Sequence, residues 1–139
     1  MKKYLEIKIL ITFILIQAIS GLAGGIGLIS DPTGASLRIP QEWLTNSPFK
    51  DYLIPGIILF TVLGIFPAIV SIGLWKEKYW GWLGSLLLGF ALLIWIIVEI
   101  IIIGYQSNPP LQLIYGILGI VILLLTNLPR VKKFYLIEK

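Results

Sequence analysis

The sequence predicts an all-α integral membrane protein, a four-helix bundle built from two helical hairpins. Of its 139 residues, 58% are hydrophobic and only 13% are charged, about half the charged fraction of a typical soluble domain. Four apolar stretches reach the roughly 17 to 25 residues that a helix needs to cross a bilayer. Their residues do not alternate as in a membrane β-strand. Lipid offers no partner to backbone N–H groups, so such stretches must be helical.

The whole chain, 1–139, is interpreted as a single membrane domain. Its predicted spans are 8–29, 52–75, 79–103 and 111–128, and an ordered outer loop covers 30–51. The first span could be mistaken for a signal peptide with a small-residue cleavage site at 18–20. Its apolar run continues as far as Ile29, so we expect it to remain as a membrane helix.

The positive charges predict the orientation of the spans. Nine of the eleven Lys and Arg residues fall on one predicted side: Lys2, Lys3, Lys8, Lys76, Lys78, Arg130, Lys132, Lys133 and Lys139. Because cytoplasmic flanks hold the excess of Lys and Arg, both termini are expected in the cytoplasm. The net charge of +4 then reflects topology and contact with anionic headgroups, and no nucleic-acid partner is expected.

The chain contains no cysteine and no histidine. Disulfides, iron–sulfur clusters, the usual zinc sites and histidine general bases are therefore excluded. The seven carboxylates are scattered along the sequence, so we expect neither a metal site nor a cofactor. These absences favour a non-enzymatic protein without deciding the question.

Turn-forming residues indicate local structure in the outer loop. Residues Asp31–Gly34 fit a turn with proline in its second position. Residues Pro40–Leu44 predict a short helix opened by proline, and Ser47 followed by Pro48 predicts the start of the next helix. The short inner turn carries Trp75, Trp80 and Trp82, which suggest an aromatic belt at the membrane interface.

Each predicted span has a face of small or polar residues that would let helices approach closely. These faces are Gln17, Gly21, Gly24 and Gly25; Gly64, Pro67, Ala68 and Ser71; Gly81, Ser85, Trp95 and Glu99; and Gln112, Tyr115, Gly116, Gly119 and Thr126. Glu99 is the most informative member, because eighteen residues make five helical turns and return it to the angle of Gly81. We therefore expect Glu99 to face other helices.

The depth of Glu99 places it near the outer edge of the membrane. It lies 19 residues beyond Trp80, or about 28 Å at 1.5 Å per residue, against a hydrocarbon thickness of about 30 Å. We predict an outer-rim binding cluster of Glu99, Arg38, Gln112, Tyr115 and Trp95. Arg38 is expected to form an ion pair with Glu99, because Arg38 is the only arginine on that side; Lys50 is the second choice.

Three interpretations of Glu99 remain open at this stage. Glu99 could be a polar clamp between the third span, the fourth span and the loop. It could line a pocket for a lipid headgroup or a small cation. It could also act in proton-coupled transport or catalysis, since an acid on an apolar face is a candidate proton carrier.

Several motifs together resemble a group of small uncharacterised bacterial membrane proteins. They are Asp31–Gly34, Ile39–Pro40, Glu42–Leu44, Ser47–Phe49, Asp51–Gly56, Trp95 with Glu99, Gly104, and Leu111–Gln112. The resemblance covers about residues 24–119 and implies a membrane location and a four-helix form, but no activity. The expected location is a bacterial cytoplasmic (inner) membrane. Where that group tends to have a tryptophan in the last outer turn, this chain has Ser107–Pro110.

The sequence leads to one functional expectation and two alternatives. The first is a non-enzymatic, multi-pass module that binds lipid or another membrane protein through its small-residue faces. The second is a subunit of a small carrier or channel with Glu99 as a proton- or cation-linked site. Four helices leave little room for a pore, so that alternative requires a homo-oligomer. A membrane enzyme is the third.

Overall fold

The computed structural model describes residues 4–45, 47–106 and 111–136, and this part of the chain is all-helical, with no β-strand. Its five helices are α1 (Leu5–Ser30), α2 (Leu53–Trp75), α3 (Tyr79–Ile103), α4 (Leu111–Thr126) and α5 (Pro129–Leu136). Two 3₁₀ turns, Ala35–Leu37 and Gln41–Leu44, lie between α1 and α2. The predicted all-α class is confirmed.

Three of the described helices, α1, α2 and α3, are long and apolar enough to cross a membrane. Helix α4 has 16 residues, and it passes the same test only together with α5, from which it is bent by 61°. The fourth predicted span is therefore shorter than expected. The bend precedes Pro129, whose ring disfavours helical geometry in the residue before it.

The helices pack in sequence order around a shared core. Helix α1 contacts α2, the second half of α2 contacts α3, α3 contacts α4, and α4 returns to α1. Many large apolar side chains point outward, such as Ile19 at 68% and Ile101 at 77% exposure. So broad an exposed apolar surface is unfavourable in water, and together with the helix lengths it indicates a membrane protein.

Glycines bring α1 and the first part of α2 into backbone contact. A Cβ atom on Gly21 would overlap the carbonyl oxygen of Leu63, and one on Gly25 would lie 2.6 Å from the Cα of Phe60. From the other helix, a Cβ on Gly56 would lie 2.7 Å from the Cβ of Leu28. Only glycine permits so close an approach.

Helix α2 contains one π turn, Thr61–Ile65, which is followed by Pro67. In an α-helix the carbonyl of Leu63 would accept the N–H of residue 67, and proline has none. The side-chain amide of Gln17 donates to Leu63 O instead, at 3.0 Å. The Gln17 Oε1 atom is buried and has no hydrogen-bond partner in the described part of the protein.

The two ends of the helix assembly differ in composition, and we name them accordingly. The basic end carries residues 4–8, 76–78 and 129–136, and the loop end carries the segment between α1 and α2. At the basic end Arg130 forms a 3.1 Å ion pair with Glu6 and lies 4.2 Å from the centre of the Tyr4 ring. The beginning and the end of the described chain therefore share one end.

Helix α5 was not predicted from the sequence. Its apolar side chains Val131, Phe134 and Tyr135 are buried, and the Tyr135 hydroxyl donates to Leu74 O at 2.6 Å. The sequence does contain a pattern that indicates this helix. Apolar residues at i, i+3 and i+4 after a proline are typical of a short amphipathic helix. Helix α5 thus closes the basic end.

The three tryptophans of the predicted belt differ in exposure. Trp75 and Trp80 are exposed, at 61% and 47%, whereas Trp82 is buried. Its indole N–H donates to Thr126 O at 2.8 Å, and one turn later Ser85 shares a 2.6 Å hydrogen bond with the Thr126 hydroxyl. Trp82 therefore joins α3 to α4 and is not a member of the belt.

The segment between α1 and α2 follows the predicted local structure only in part. The short helix expected at Pro40–Leu44 is present as the 3₁₀ turn after Pro40. The prediction that Ser47 and Pro48 open the next helix is wrong. Helix α2 begins at Leu53, whose N–H donates to the Asp51 carboxylate at 3.0 Å, so Asp51 supplies the oxygen that the helix start needs.

Candidate functional site

A small apolar cluster attaches the connecting segment to the loop end. Leu28, Leu44 and Tyr52 are buried together. The Tyr52 hydroxyl donates to Pro40 O at 2.7 Å, and the Tyr52 backbone N–H donates to Pro32 O at 2.8 Å. One residue thereby ties two separate parts of the segment to the start of α2.

Burial and nearby negative charges raise the pKa of Tyr52. Burial, followed by the negative charges of Glu99 and Glu42, raises the pKa of Tyr52 to about 12. The phenol is thus held in its neutral form, in which it can donate to Pro40. The 3₁₀ turn Gln41–Leu44, which follows the Pro40 carbonyl that Tyr52 binds, also contacts α3.

Glu99 lies one turn from the end of α3, half-buried and facing α4. Its Oε1 atom accepts a 3.2 Å hydrogen bond from the side-chain amide of Gln112 on α4. The expectations that Glu99 faces a helix and that Gln112 is its neighbour are both confirmed.

Gln112 is the centre of this small network. It is buried, with 4% of its surface exposed. Its amide also donates to Gly104 O at 3.2 Å, and its Oε1 accepts the backbone N–H of Gln106 at 2.7 Å. Gln112 thereby supplies hydrogen-bond partners to the backbone that follows α3. The last carbonyls of a helix lack partners within the helix.

The structure brings Trp95 to Glu99 and leaves Tyr115 in a different role. Trp95 precedes Glu99 by one helical turn, and its side chain is close enough to interact with the carboxylate. Tyr115 is half-buried and packs against the apolar core. No described hydrogen bond joins Tyr115 to Glu99.

Arg38 is not brought to Glu99. It is exposed, and among the residues that the structure describes, the ion pair within 4 Å joins Arg130 to Glu6; none involves Arg38 or Lys50. The predicted pair is therefore absent from this arrangement. Placement at the same predicted side of the membrane could not establish contact, because it does not specify the direction of the Arg38 side chain, which is exposed.

The Asp31 carboxylate stabilises a turn. It accepts the Thr33 hydroxyl at 2.6 Å and the backbone N–H of Ser36 at 3.1 Å. The Thr33 hydroxyl, with the N–H groups of Ser36 and Thr33, holds the pKa of Asp31 below its usual value. Asp31 follows the C-terminus of α1, where the helix dipole is negative, so the dipole does not account for its position.

The hydrogen bonds of Gln112 join Glu99 of α3, α4 and the chain between the two helices. A shallow depression of about 220 Å³ lies beside Gln112 and Tyr105, but Glu99 does not line it. Within the described ranges no group of three or more Asp, Glu, His or Cys residues could hold a metal ion. The outer turn Ser107–Pro110 lies outside the described residues.

A larger concave feature lies at the basic end, where no site was predicted. It is an open groove of about 720 Å³ between α1 and the second half of α2. We call it the α1–α2 groove. Its lining residues are Lys8, Ile11, Thr12, Leu15, Ser71, Ile72, Trp75 and Lys76.

The glycines of the predicted small-residue faces pack against other helices of the same chain. Gly21, Gly25 and Gly64 form the α1–α2 contact, while Gly81 packs on Gly73 and Gly119 lies across from Gly89. In the described part of the chain, Gly104 is the only glycine at which an added Cβ atom would find open space within 4 Å. These faces therefore hold this chain's own helices together.

Three functional or structural residues were missed by sequence reasoning. Tyr52 and Tyr135 each form a hydrogen bond to a distant carbonyl, and nothing in their local sequence indicates it. Lys8 was counted only as a topology signal. Its spacing from Thr12 and Leu15, at i+4 and i+7, could have indicated one helix face.

Comparisons of the chain with protein-family models, curated proteins and solved structures gave no match. Function must therefore be argued from the geometry alone.

Proposed function

We propose that this protein is a non-enzymatic, multi-pass membrane module that binds a lipid in the α1–α2 groove. The observation that carries the proposal is the groove itself, with its apolar middle and one lysine from each helix at its rim. Ligand sites are commonly concave, mostly apolar and equipped with a few polar groups. An open groove on the membrane-facing surface suits an acyl chain, which can enter sideways from the bilayer.

A lipid fits the geometry better than a helix of another protein. Helix association in membranes relies on small residues that let backbones approach. The glycines of this chain other than Gly104 are occupied by internal contacts, and the apolar residues that line the groove are Ile11, Leu15, Ile72 and Trp75. A flexible acyl chain can fill the space between such bulky side chains, whereas a second helix would be held off by them.

Native mass spectrometry of the detergent-purified protein tests the proposal. The delipidated protein is incubated with a synthetic dioleoyl phospholipid, and the bound fraction is measured. Thr12→Trp or Ile72→Trp should fill the groove and reduce binding about tenfold or more. Ile97→Trp is the matched control, because Ile97 is 56% exposed on α3 and away from the groove.

The result that would refute the proposal is equally specific. Equal lipid binding by the two groove variants and the Ile97→Trp control, at unchanged melting temperature, would show that lipid is bound elsewhere. Absence of any retained lipid in the unmodified protein would exclude a lipid-binding role for the groove altogether.

A second candidate function is a subunit of a small carrier or channel with Glu99 as its proton- or cation-linked site. Its support is that Glu99 is half-buried in a span and has no ion-pair partner within 4 Å among the described residues. Ionisable residues in spans are often functional. Four helices leave little room for a pore, so this function requires a homo-oligomer.

Proteoliposome flux distinguishes this candidate from the clamp. If Glu99→Gln lowers thermal stability and leaves proton-dependent and cation fluxes unchanged, Glu99 is structural. Normal stability together with lost flux would support the carrier instead. Glu42→Gln, which changes an exposed acid at the loop end, is the control for a general charge effect.

The proposed location is a bacterial cytoplasmic membrane, with four spans, both termini inside and the loop end outside. The excess of Lys and Arg at the basic end supports it. Because the 139 residues contain no cysteine, a single introduced cysteine is the only thiol that can be labelled. Thr45→Cys should react with an impermeant maleimide in whole cells, whereas Lys133→Cys should react only after lysis. The reverse pattern would overturn the orientation.

A further inference from the structure

We propose that the α1–α2 groove selects a lipid with an anionic, phosphate-bearing headgroup, held between Lys8 of α1 and Lys76 at the end of α2. This inference rests on the lipid-binding function proposed above and adds the chemistry of the ligand. The occupant is the phosphodiester of a glycerophospholipid whose acyl chain lies along the groove.

The groove lies on the basic-end side of the glycine contact between the two helices. Toward the loop end, Gly21 and Gly25 bring α1 against the backbone of α2. From Leu5 to Ser20, α1 has no glycine, and the α1 residues that line the groove all lie in this part of the helix. The groove is open to the outside of the helix assembly, and Lys8 and Lys76 lie at its basic end.

The dimensions match the upper part of one phospholipid. Lys8 and Leu15 mark the two ends of the groove on α1, and the seven residue steps from one to the other span about 10 Å along the helix axis. The lysines lie at one end and Ile11, Leu15 and Ile72 lie toward the other. A phosphate beside the lysines therefore places the first carbons of its acyl chain on the apolar side chains.

The two lysines are available for an external anion. Both are exposed, and neither forms an ion pair within 4 Å with a described residue. Arg130, at the same end, is already neutralised by Glu6. Glu77, the neighbour of Lys76, acts on Tyr135 of α5 and does not line the groove.

The other polar groups of the groove do not compete for this role. The Thr12 hydroxyl donates to Lys8 O at 2.8 Å and the Ser71 hydroxyl donates to Ala68 O at 2.7 Å. With both protons used within the helices, the two lysine ammonium groups are the charged donors that line the groove. Charge is therefore the basis of the proposed selection.

Native mass spectrometry with matched acyl chains tests the selection. The probes are dioleoyl phosphatidylglycerol, dioleoyl phosphatidylcholine and dioleoylglycerol, each added to the delipidated protein. We expect the first to bind most tightly. Lys8→Gln and Lys76→Gln should each weaken its binding about fivefold, and the double variant about 30-fold, because each lysine near a membrane surface contributes a similar increment.

Three further variants make the result specific. Lys132→Gln with Lys133→Gln removes the same charge from exposed positions of α5 and should change binding little. Lys8→Arg with Lys76→Arg should restore selection. Thr12→Trp should abolish binding of all three probes, including the uncharged dioleoylglycerol.

The outcomes separate this inference from the function on which it rests. If the three probes bind equally and only Thr12→Trp removes them, the groove binds lipid without charge selection and the inference fails alone. If no probe binds, both fail. Loss of selection in the α5 control would assign it to general surface charge, and a dimer that Thr12→Trp dissociates would identify a second copy as the occupant; either result overturns the inference.

Discussion

Gln17 on α1 donates a 3.0 Å hydrogen bond to the carbonyl oxygen of Leu63 on α2. That oxygen lies four residues before Pro67, which has no N–H with which to bond it. A side chain of one helix thus donates to a backbone carbonyl of another helix that lacks its usual α-helical partner. It does so one turn from Gly21, where the two backbones are in contact.

Replacing Gln17 by leucine should therefore destabilise the protein by about 1 kcal/mol, the typical size of a hydrogen bond between membrane helices. The cost is limited because Gln17 Oε1 has no partner in the described structure. Reversible unfolding in detergent is the measurement.

Repeating Gln17→Leu in a Pro67→Ala background tests whether the loss comes from the hydrogen bond to Leu63. Pro67→Ala supplies the missing N–H, so Gln17→Leu should cost less in that background than in the unmodified protein. An equal loss in both backgrounds would mean that Gln17 acts by packing and not by completing the hydrogen bonding of α2.

Gly21→Ala should lower the free energy of unfolding by about 1–3 kcal/mol, because the added methyl group would overlap the Leu63 carbonyl and push the helices apart. Gly116→Ala provides the control: its Cβ would lie 3.8 Å from Ile96, an ordinary contact. Because alanine favours helix more than glycine, that control should be neutral or stabilising. Comparable losses in the two variants would contradict the close contact.

Tyr52 should ionise near pH 12, about two units above an ordinary tyrosine. The difference in tyrosinate absorbance between the unmodified protein and Tyr52→Phe measures it. Because the folded-state pKa is raised, the stabilising contribution of the neutral phenol is complete below about pH 10 and is lost as the pH rises toward 12. The variant should lack this loss; a difference titration centred near pH 10 would show that Tyr52 is not shielded.

Gln112→Leu should destabilise the protein by about 1–3 kcal/mol, because it leaves Gly104 O and the Gln106 N–H without their described partner. Combined with Glu99→Gln, the effects should be non-additive, since the two side chains share a hydrogen bond. Thermal melting in detergent measures the cycle. Strict additivity would argue against the clamp.

Arg38 gives the opposite expectation. It forms no ion pair with Glu99 in the described structure, so Arg38→Gln and Glu99→Gln should be additive within about 0.5 kcal/mol. The same thermal-melting cycle measures this. A larger coupling energy would restore the pair that the sequence suggested.

Tyr135→Phe should loosen α5 from the basic end, because it removes the 2.6 Å hydrogen bond to Leu74 O. A loss of about 1 kcal/mol corresponds to roughly fivefold faster amide exchange in residues 129–136. Tyr79→Phe is the control, since Tyr79 is 51% exposed. Unchanged exchange would show that apolar packing alone holds α5.

Most helix boundaries were predicted from the sequence to within a few residues. The third span, predicted at 79–103, is α3 at Tyr79–Ile103, because apolar length and flanking charge are local properties of the chain. Glu99 facing α4 also followed from its angle relative to Gly81. Its partner could be proposed as Gln112 because the two lie near neighbouring helix ends, but Arg38 was proposed on similar grounds and the sequence held no means of excluding it.

The sequence by itself determined the helical class, the apolar lengths of the segments and the segregation of charge to one end, since these depend on composition and helical period. Only the tertiary structure decided which polar atoms meet: Gln17 with Leu63, Trp82 with Thr126 and Tyr135 with Leu74. The α1–α2 groove and the absence of an Arg38–Glu99 ion pair were also evident only from the tertiary structure. Such contacts depend on the rotation, spacing and crossing of several helices at once, and no local pattern specifies these.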